Sequence, residues 1–175
     1  RISQSVSGFD GFGLWALTAV ASGENFTPEN NSISHNYFTM IGQALLEGDY
    51  FSEADIIDRN RVMIVNDEFA KRLNPDGSAL GLQISPGAES EPFTITGVVK
   101  GAKMPAESEV PMRAYTPANL ANTQMTLKLR DGQSIEPEQV VTAIKSVSSL
   151  YALFNLETLD SKKKRRLFTQ YTTAT

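Results

Sequence analysis

Three features of the sequence carry side chains that could do chemistry. The chain has one histidine, His35, a residue type that often serves as a general base. An acidic run between Glu47 and Asp58 offers carboxylates, which are the ligands that Ca²⁺ prefers. A basic run near the end of the chain could contact anionic lipid headgroups. The basic run consists of Lys162, Lys163, Lys164, Arg165 and Arg166.

Neither the histidine nor the acidic run forms a recognised catalytic or metal-binding pattern. His35 follows a serine in NSISHNYF, and a lone histidine there is more typical of a structural hydrogen-bonding residue than of a base. A calcium loop that starts at Asp49 would need a polar third residue and a glycine at the sixth, but Phe51 and Ala54 stand there. The chain also lacks the HExxH, GxSxG, GxGxxG and P-loop motifs. We therefore expect no catalytic residue and no metal ligand, and we interpret the acids as part of a solvated loop with helix-capping carboxylates.

The basic run is the strongest charge asymmetry in the chain. The sequence has 16 Lys and Arg against 20 Asp and Glu, so the residues outside the run have a charge near −9. An acidic balance of this kind argues against a nucleic-acid-binding domain, which usually has a broad basic face. A solvated helix face is the favoured interpretation of the run, and contact with anionic headgroups is the alternative.

Length and composition are those of a folded domain rather than a disordered or membrane-spanning segment. The 175 residues are 41% hydrophobic, which is enough for one domain or for two small lobes. The absence of cysteine excludes disulfides, thiolate metal sites and cysteine nucleophiles, and it fits either the cytoplasm or the periplasm. The most apolar segment, GFGLWALTAVASG, is shorter than the roughly 20 residues that a bilayer span requires. Because the chain begins with Arg1, we expect it to be a piece of a longer protein.

The first two thirds of the sequence predict short strands with few helices. ISQSVSGF and LWALTAVA have strand patterns, whereas GENFTPENNS has the composition of a loop. RVMIVN predicts a buried strand, and Asn66 can cap a helix that starts at Asp67. FTITGVVKG predicts a second buried strand, in which the interior Gly97 indicates a bulge or a close backbone approach. A long loop, AKMPAESEVPM, then leads to the short apolar AYTP.

The last third predicts the order strand, helix, strand, helix. QMTLKLRDG alternates Met125, Leu127 and Leu129 on one face, and an amphipathic helix follows from Pro137. ALFNLETL predicts a returning strand, and DSKKKRRLFTQY begins another helix. A β-α-β unit of this kind is the core of a split βαβ, ferredoxin-like arrangement. The whole sequence therefore predicts an α+β fold.

Four segments, in this order, closely resemble a known family. They are ISHNYFTMIGQALLEGDYFSEAD, RVMIVNDEFAKRLNPDGSALGLQI, FTITGVVKGAK and AYTP. The resemblance is to the extracytoplasmic (periplasmic) core domain of the MacB and FtsX-like ABC transporter permeases. The residues that carry it are Tyr37, Phe38, Gly42, Gly48, Phe51, Asn66, Leu80, Gly81, Gly97, Tyr115 and Pro117. One departure is that the Gly-Arg pair common in the family is Gly48-Asp49 here, so the role of that arginine is not carried over.

The resemblance implies a two-lobed periplasmic domain. A ferredoxin-like (split βαβ) lobe would take residues 1–32 and 118–160, and a second mixed α/β lobe, residues 33–117, would be inserted into it. Residues 161–175 would form a helix leading toward a membrane span, which would place the basic run at the outer headgroups. The domain would lie on the periplasmic or extracellular face of the cell membrane, as part of an inner-membrane protein.

The resemblance also implies a mechanical function without catalysis. A cytoplasmic ABC ATPase partner would use ATP, so the domain itself would need no cofactor, and the domain would pass the resulting motion to a substrate or partner outside the membrane. A second permease subunit and a periplasmic partner protein would be further contacts, with no nucleic acid. The motif residues would then specify shape rather than bind a ligand, and the loop from Lys103 to Met112 would be the longest exposed loop. The alternative is a stand-alone secreted or periplasmic binding or adhesion module.

Overall fold

The computed structural model describes residues 2–5, 12–87, 89–103, 107–118, 124–147, 157, 158 and 161. Within these residues the chain is a mixed α+β protein, as the sequence predicts. The strands are β1 (Ile2–Ser5), β2 (Gly13–Leu14), β3 (Leu17–Ala19), β4 (Asn25–Phe26), β5 (Glu29–Ile33), β6 (Leu45–Gly48), β7 (Val62–Asn66), β8 (Gln83–Ser85), β9 (Phe93–Val99), β10 (Arg113–Pro117) and β11 (Gln124–Leu127). The helices are α1 (Tyr37–Ile41), α2 (Glu53–Ile57), α3 (Asp67–Leu73) and α4 (Pro137–Val147).

The chain divides into two compact units, residues 1–128 and residues 129–175. The first unit contains every described strand and the helices α1 to α3. The second contains α4, which starts at Pro137, as predicted, with Glu138 in its first turn and Lys145 in its last. The last predicted strand and helix lie almost entirely outside the described residues, and so does the whole basic run from Lys162 to Arg166. No helix in the described part of the chain is long and apolar enough to cross a membrane.

The strands of the first unit form a single hydrogen-bonded sheet. Its order is β11-β1-β5-β10-β7-β9-β8-β3-β4, while β2 also pairs with β5 and β6 also pairs with β9. Two of the pairs, β5 with β10 and β7 with β9, are parallel. Ile33 and Pro117, the predicted lobe boundaries, are direct partners in the β5–β10 pair. The two predicted crossing points are therefore adjacent in space, and the division into lobes itself stays a prediction.

The segment GENFTPENNS is not the loop that its composition predicts. It contains β4 and all but the last residue of β5, and β5 is an inner strand that pairs with β10, β1 and β2. Within β5, Asn31 and Ile33 are almost completely buried. Pairing on both sides and burial outweigh the low strand propensity of asparagine, because strand preference depends mainly on context.

The central strands carry an apolar core on each face of the sheet. Met63 and Val65 belong to one core while Ile64 between them belongs to the other, as the alternation of side chains along a strand requires. The α3-side core comprises Leu17, Phe26, Met63, Val65, Phe69, Ala79, Ile84, Phe93, Ile95, Val98 and Ala114. The α1-side core comprises Ile33, Tyr37, Phe38, Phe51, Ile56, Ile64, Val99 and Tyr115. With apolar clusters on both faces, the central strands are buried on both sides.

Candidate functional site

The motif residues Gly48 and Gly97 lie where β6 meets β9 at very short range. A Cβ atom on Gly97 would lie 2.4 Å from the carbonyl oxygen of Asp49, and one on Gly48 would lie 2.1 Å from the carbonyl oxygen of Thr96. The amide of Asp49 donates a hydrogen bond to the same Thr96 oxygen at 3.0 Å. Leu80 completes this group, because a Cβ atom on Gly48 would also lie 2.8 Å from the Leu80 Cδ2. The glycines thus allow two backbones to touch.

Gly97 also lies beside a register shift in the β7–β9 pair. Met63 faces Ile95, and the next residue, Ile64, faces Gly97, so Thr96 is an extra residue. This bulge returns Val98 to the face occupied by Ile95, while Val99 lies on the opposite face. The bulge is what lets one strand supply large side chains to both cores.

Two further motif glycines end local elements. Gly42 has φ +75° and caps the C-terminus of α1, where its amide donates to the Phe38 carbonyl at 2.9 Å. Gly81 has φ +79°, and its amide donates to the Ile95 carbonyl at 2.8 Å. Both positions need a left-handed backbone, which glycine adopts without steric cost.

The aromatic motif residues are brought together in the α1-side core. The ring of Phe38 contacts Tyr115 edge-on at 4.9 Å between centroids and stacks on Tyr50 at 5.5 Å. Tyr37 packs against Phe38 at 5.4 Å, and Phe51 belongs to the same cluster. Burial raises the pKa of the Tyr115 hydroxyl to about 12, so this group stays protonated at neutral pH. These residues form a packed aromatic cluster on the α1 side of the sheet.

His35 and the acidic run lie in a turn and at the start of a helix. His35 is exposed in the turn before α1. In the acidic run, Ser52 and Asp55 form a capping box at the start of α2, as the interpretation of helix-capping acids predicts. Burial raises the pKa of Asp55, but hydrogen bonds from Ser52 and Asn60 outweigh it and leave the pKa below its usual value. Among the described residues, no three acidic or histidine side chains are placed to hold a metal ion.

A buried arginine that the sequence analysis did not single out joins three separate segments. Arg113, 1% exposed, donates from Nε to a carboxylate oxygen of Glu29 at 2.9 Å. Its two other nitrogens donate to the Glu107 carboxylate and to the Ala102 carbonyl. The guanidinium carbon lies 4.4 Å from the centre of the Phe12 ring. Arg113 therefore ties β10 to β5 and to the loop between β9 and β10.

Asn66, a motif residue, holds the other end of that loop. Its side-chain oxygen accepts from the Phe69 amide at 3.1 Å, which caps α3 as predicted, and also from the Arg113 amide at 2.9 Å. Its side-chain nitrogen donates to the Pro111 carbonyl at 2.8 Å. One buried amide thus uses both of its polar atoms to join α3 to the end of the loop.

Asp67 holds the start of the loop. It accepts from the Lys100 ammonium at 2.5 Å and from the Gly101 amide at 2.7 Å. The pKa of Asp67 lies below its usual value. Burial by itself would raise this pKa, but the hydrogen bonds from Lys100 and Gly101 and the charge of Lys100 outweigh the effect of burial. We call the connected set the polar brace. Its members are Glu29, Asn66, Asp67, Lys100, Glu107 and Arg113.

The polar brace fixes the base of the loop spanning residues 100–112. Asn66 and Asp67 are neighbours in sequence, so the two loop ends that they bind lie close together. Arg113 then binds the loop at Ala102 and at Glu107. The chemistry available here is that of hydrogen bonds and ion pairs within the fold, and it attaches the described loop residues 100–103 and 107–112 to the sheet.

The motif residues of this sheet domain pack, turn and allow backbone contact, and its buried polar groups bind a loop. The family model described as the MacB-like periplasmic core domain matches residues 3–147. This chain belongs to that family, which comprises the extracytoplasmic domains of MacB and FtsX-like ABC transporter permeases.

Two solved structures have a similar fold. The periplasmic region of MacB from Actinobacillus actinomycetemcomitans is 17% identical, with a TM-score of 0.60 over 86% of this chain and 66% of that one. A domain of a Porphyromonas gingivalis protein described as a permease is 15% identical, with a TM-score of 0.60 over 87% of this chain and 70% of that one. The chain thus spans just under two thirds of the MacB region. No curated protein sequence gives a significant match.

Proposed function

We propose that this domain transmits an ATP-driven conformational change in an ABC transporter permease to a substrate or partner outside the membrane. The observation that carries the proposal is the continuity of the sheet. The strands β11, β1, β5 and β10 are hydrogen-bonded neighbours in this order, and β1 and β11 are the first and last described strands of the chain. At β10, Arg113 of the polar brace binds the loop at Ala102 and Glu107. A displacement at the first and last strands therefore has a connected path to a surface element.

Close packing at the β10 end of that path supports a mechanical role. Protein interiors are close-packed and pass on strain rather than absorb it. Ile64, Val65, Ala114 and Tyr115 of the central strands are at most 2% exposed, and they face cores on both sides of the sheet. A loop held only by solvent-exposed contacts would not follow a displacement of the sheet, whereas a loop bound by a buried arginine would follow it.

The proposal assigns ATP hydrolysis to a cytoplasmic ABC ATPase partner and assigns no reaction to the domain. Supporting this, His35 is exposed in a turn, Asp55 caps α2, and Glu29 and Glu107 are ion-pair partners of Arg113. In the proposed parent chain, apolar stretches of about 20 residues should flank this domain on both sides. Their absence would favour a stand-alone binding module instead.

A deletion in the parent permease tests the proposal. Removal of residues 33–117 should abolish the transport or signalling phenotype, while ATP hydrolysis by the partner continues at its basal rate. A matched point control is Lys71→Met, which changes an exposed ion pair of 3.9 Å on α3 and should leave both readouts unchanged. An intact phenotype after the deletion would contradict the proposal, as would substrate turnover by the isolated domain that disappears in His35→Ala.

A further inference from the structure

Gln43 lies in the short connection between α1 and β6, and it contacts the start of the loop spanning residues 100–112. Its side-chain nitrogen donates to the carbonyl of Lys100 at 2.7 Å. The next residue, Ala44, accepts from the amide of Lys100 at 2.8 Å. Lys100 directly follows β9 and is the first residue of the loop. The connection after α1 therefore binds both backbone polar groups of that residue.

The α1-side aromatic cluster fixes the position of Gln43. The Tyr50 hydroxyl donates to the Gln43 carbonyl at 2.7 Å, and the Tyr115 hydroxyl forms a hydrogen bond with the Gln43 side chain. The Gln43 amide donates to the Phe38 carbonyl at 3.0 Å. The rings of Tyr50 and Tyr115 both pack against the ring of Phe38. The backbone and the side chain of Gln43 are thus both tied to this cluster.

Asp67, the first residue of α3, binds the same part of the loop. Its carboxylate accepts from the Lys100 ammonium and, at 2.7 Å, from the Gly101 amide. The Lys100 side chain is 61% exposed, so its ion pair contributes little, and the Gly101 amide is the stronger attachment. Phe69 of α3 lies in the α3-side core. The start of the loop is therefore connected to the cores on both faces of the sheet.

We propose that Gln43 is the coupling residue that joins the α1-side aromatic cluster to the loop, so that a displacement on the α1 side reaches the loop through Lys100. Coupling between distant groups is carried by packed side chains and hydrogen bonds, and each contact of this route lies within described residues. Its functional meaning rests on the proposed function, because it names the route by which motion would enter the loop. The coupling itself is a property of this chain.

Amide hydrogen exchange of Lys100 and Gly101, followed by NMR, tests the coupling. Both amides are hydrogen-bonded, so their exchange reports on local opening at the start of the loop. Gln43→Met keeps the length of the side chain and removes both of its polar atoms. It should speed the exchange of these two amides about fivefold, which is the change expected for the net loss of one hydrogen bond. Gln43→Glu keeps the shape, removes the donor to Lys100, and should act in the same direction.

Two controls separate coupling from a general loss of stability. Gln83→Met makes the same chemical change at an exposed position of β8 and should leave the exchange of Gly101 unchanged. Exchange through local opening of α4, in the other compact unit, should be the same in all variants. Tyr115→Phe removes the hydroxyl that contacts Gln43. It should speed the exchange of Gly101 in the unsubstituted chain and have little further effect in Gln43→Met, because the side chain that connects the two sites is gone.

The possible outcomes distinguish the coupling from the proposed function. Unchanged exchange of Lys100 and Gly101 in Gln43→Met would overturn the coupling. Equal effects of Tyr115→Phe with and without Gln43 would overturn the route through the aromatic cluster. In the parent permease, Gln43→Met should reduce transport or signalling while ATP hydrolysis by the partner stays at its basal rate. An intact phenotype together with faster exchange of the loop amides would count against the proposed function and leave the coupling in place.

Discussion

The substitution Arg113→Met is the sharpest perturbation of the polar brace. Methionine fills most of the space of the arginine stem but removes all of the donors. The carboxylates of Glu29 and Glu107 would then face an apolar group, and the Ala102 carbonyl would lose its donor. We expect a large loss of stability, because the substitution removes both ion pairs of a buried guanidinium.

The size of the loss follows from the burial of the three side chains. Breaking a fully buried ion pair costs about 3–5 kcal/mol. Arg113 is 1% exposed, but Glu29 and Glu107 are 29% and 22% exposed, so water can partly hydrate the carboxylates that remain. This places the expected loss at the lower end, about 3 kcal/mol. Converting both glutamates to glutamine in the same chain should recover at least about 1 kcal/mol, since neither side chain then keeps a charge that was offset by the guanidinium.

Urea unfolding followed by fluorescence measures these free energies. The single tryptophan, Trp15, is a natural reporter because its ring packs edge-on against Phe93 at 5.4 Å between centroids. Lys71→Met is the control, and it should change the free energy of unfolding by less than about 0.5 kcal/mol. A loss below about 1 kcal/mol for Arg113→Met would refute the reasoning, because an intact buried pair cannot be removed at so small a cost. So would a triple variant no more stable than Arg113→Met.

Three further substitutions test other parts of the structure by the same assay. Gly97→Ala should lower the free energy of unfolding by at least about 1–3 kcal/mol, since its Cβ would lie 2.4 Å from the Asp49 carbonyl oxygen. An unchanged free energy would contradict the close approach of the two backbones at Gly97. Arg59→Gly should stabilise by about 0.5–1 kcal/mol, because Arg59 has φ 54° and relief of left-handed strain exceeds the entropy cost of glycine; destabilisation would be inconsistent with that backbone. The pKa of the Asp67 carboxyl in the folded chain lies below its unfolded value of about 3.9. The difference in free energy of unfolding between the unsubstituted chain and Asp67→Asn should therefore be constant above about pH 5 and shrink below about pH 4. A difference independent of pH would contradict the ion pair.

Local patterns in the sequence predicted those elements that depend on local physics. Asn66 with Asp67 and Glu68 indicated the start of α3, because a cap and first-turn acids act on the nearest backbone amides. Gly97 indicated the bulge, since a glycine inside a strand has few other uses. Pro137 indicated the start of α4, because the first helical position needs no N–H donor and proline already has a helical φ.

Features that depend on distant pairing could not be predicted in this way. ENNSI has the composition of a loop, and it becomes the inner strand β5 because it pairs with β10 on one side and with β1 and β2 on the other. The ion pair of Glu29 and Arg113 joins residues 84 positions apart, and it follows from their being direct neighbours in that parallel register. No spacing in the sequence reveals the register of two parallel strands, so the polar brace was missed although each of its residues was visible.

The proposed function requires the domain, on the outer side of the membrane, to move when the cytoplasmic ATPase partner binds ATP. The most direct test is energy transfer between a fluorophore attached to the Ile57→Cys variant and dye-labelled lipid headgroups, with the intact permease in lipid nanodiscs. We expect the distance to change between the nucleotide-free state and the ATP-bound state in which hydrolysis is blocked, and to return once hydrolysis is allowed. An unchanged distance in all three conditions, while the partner ATPase continues to turn over, would contradict it.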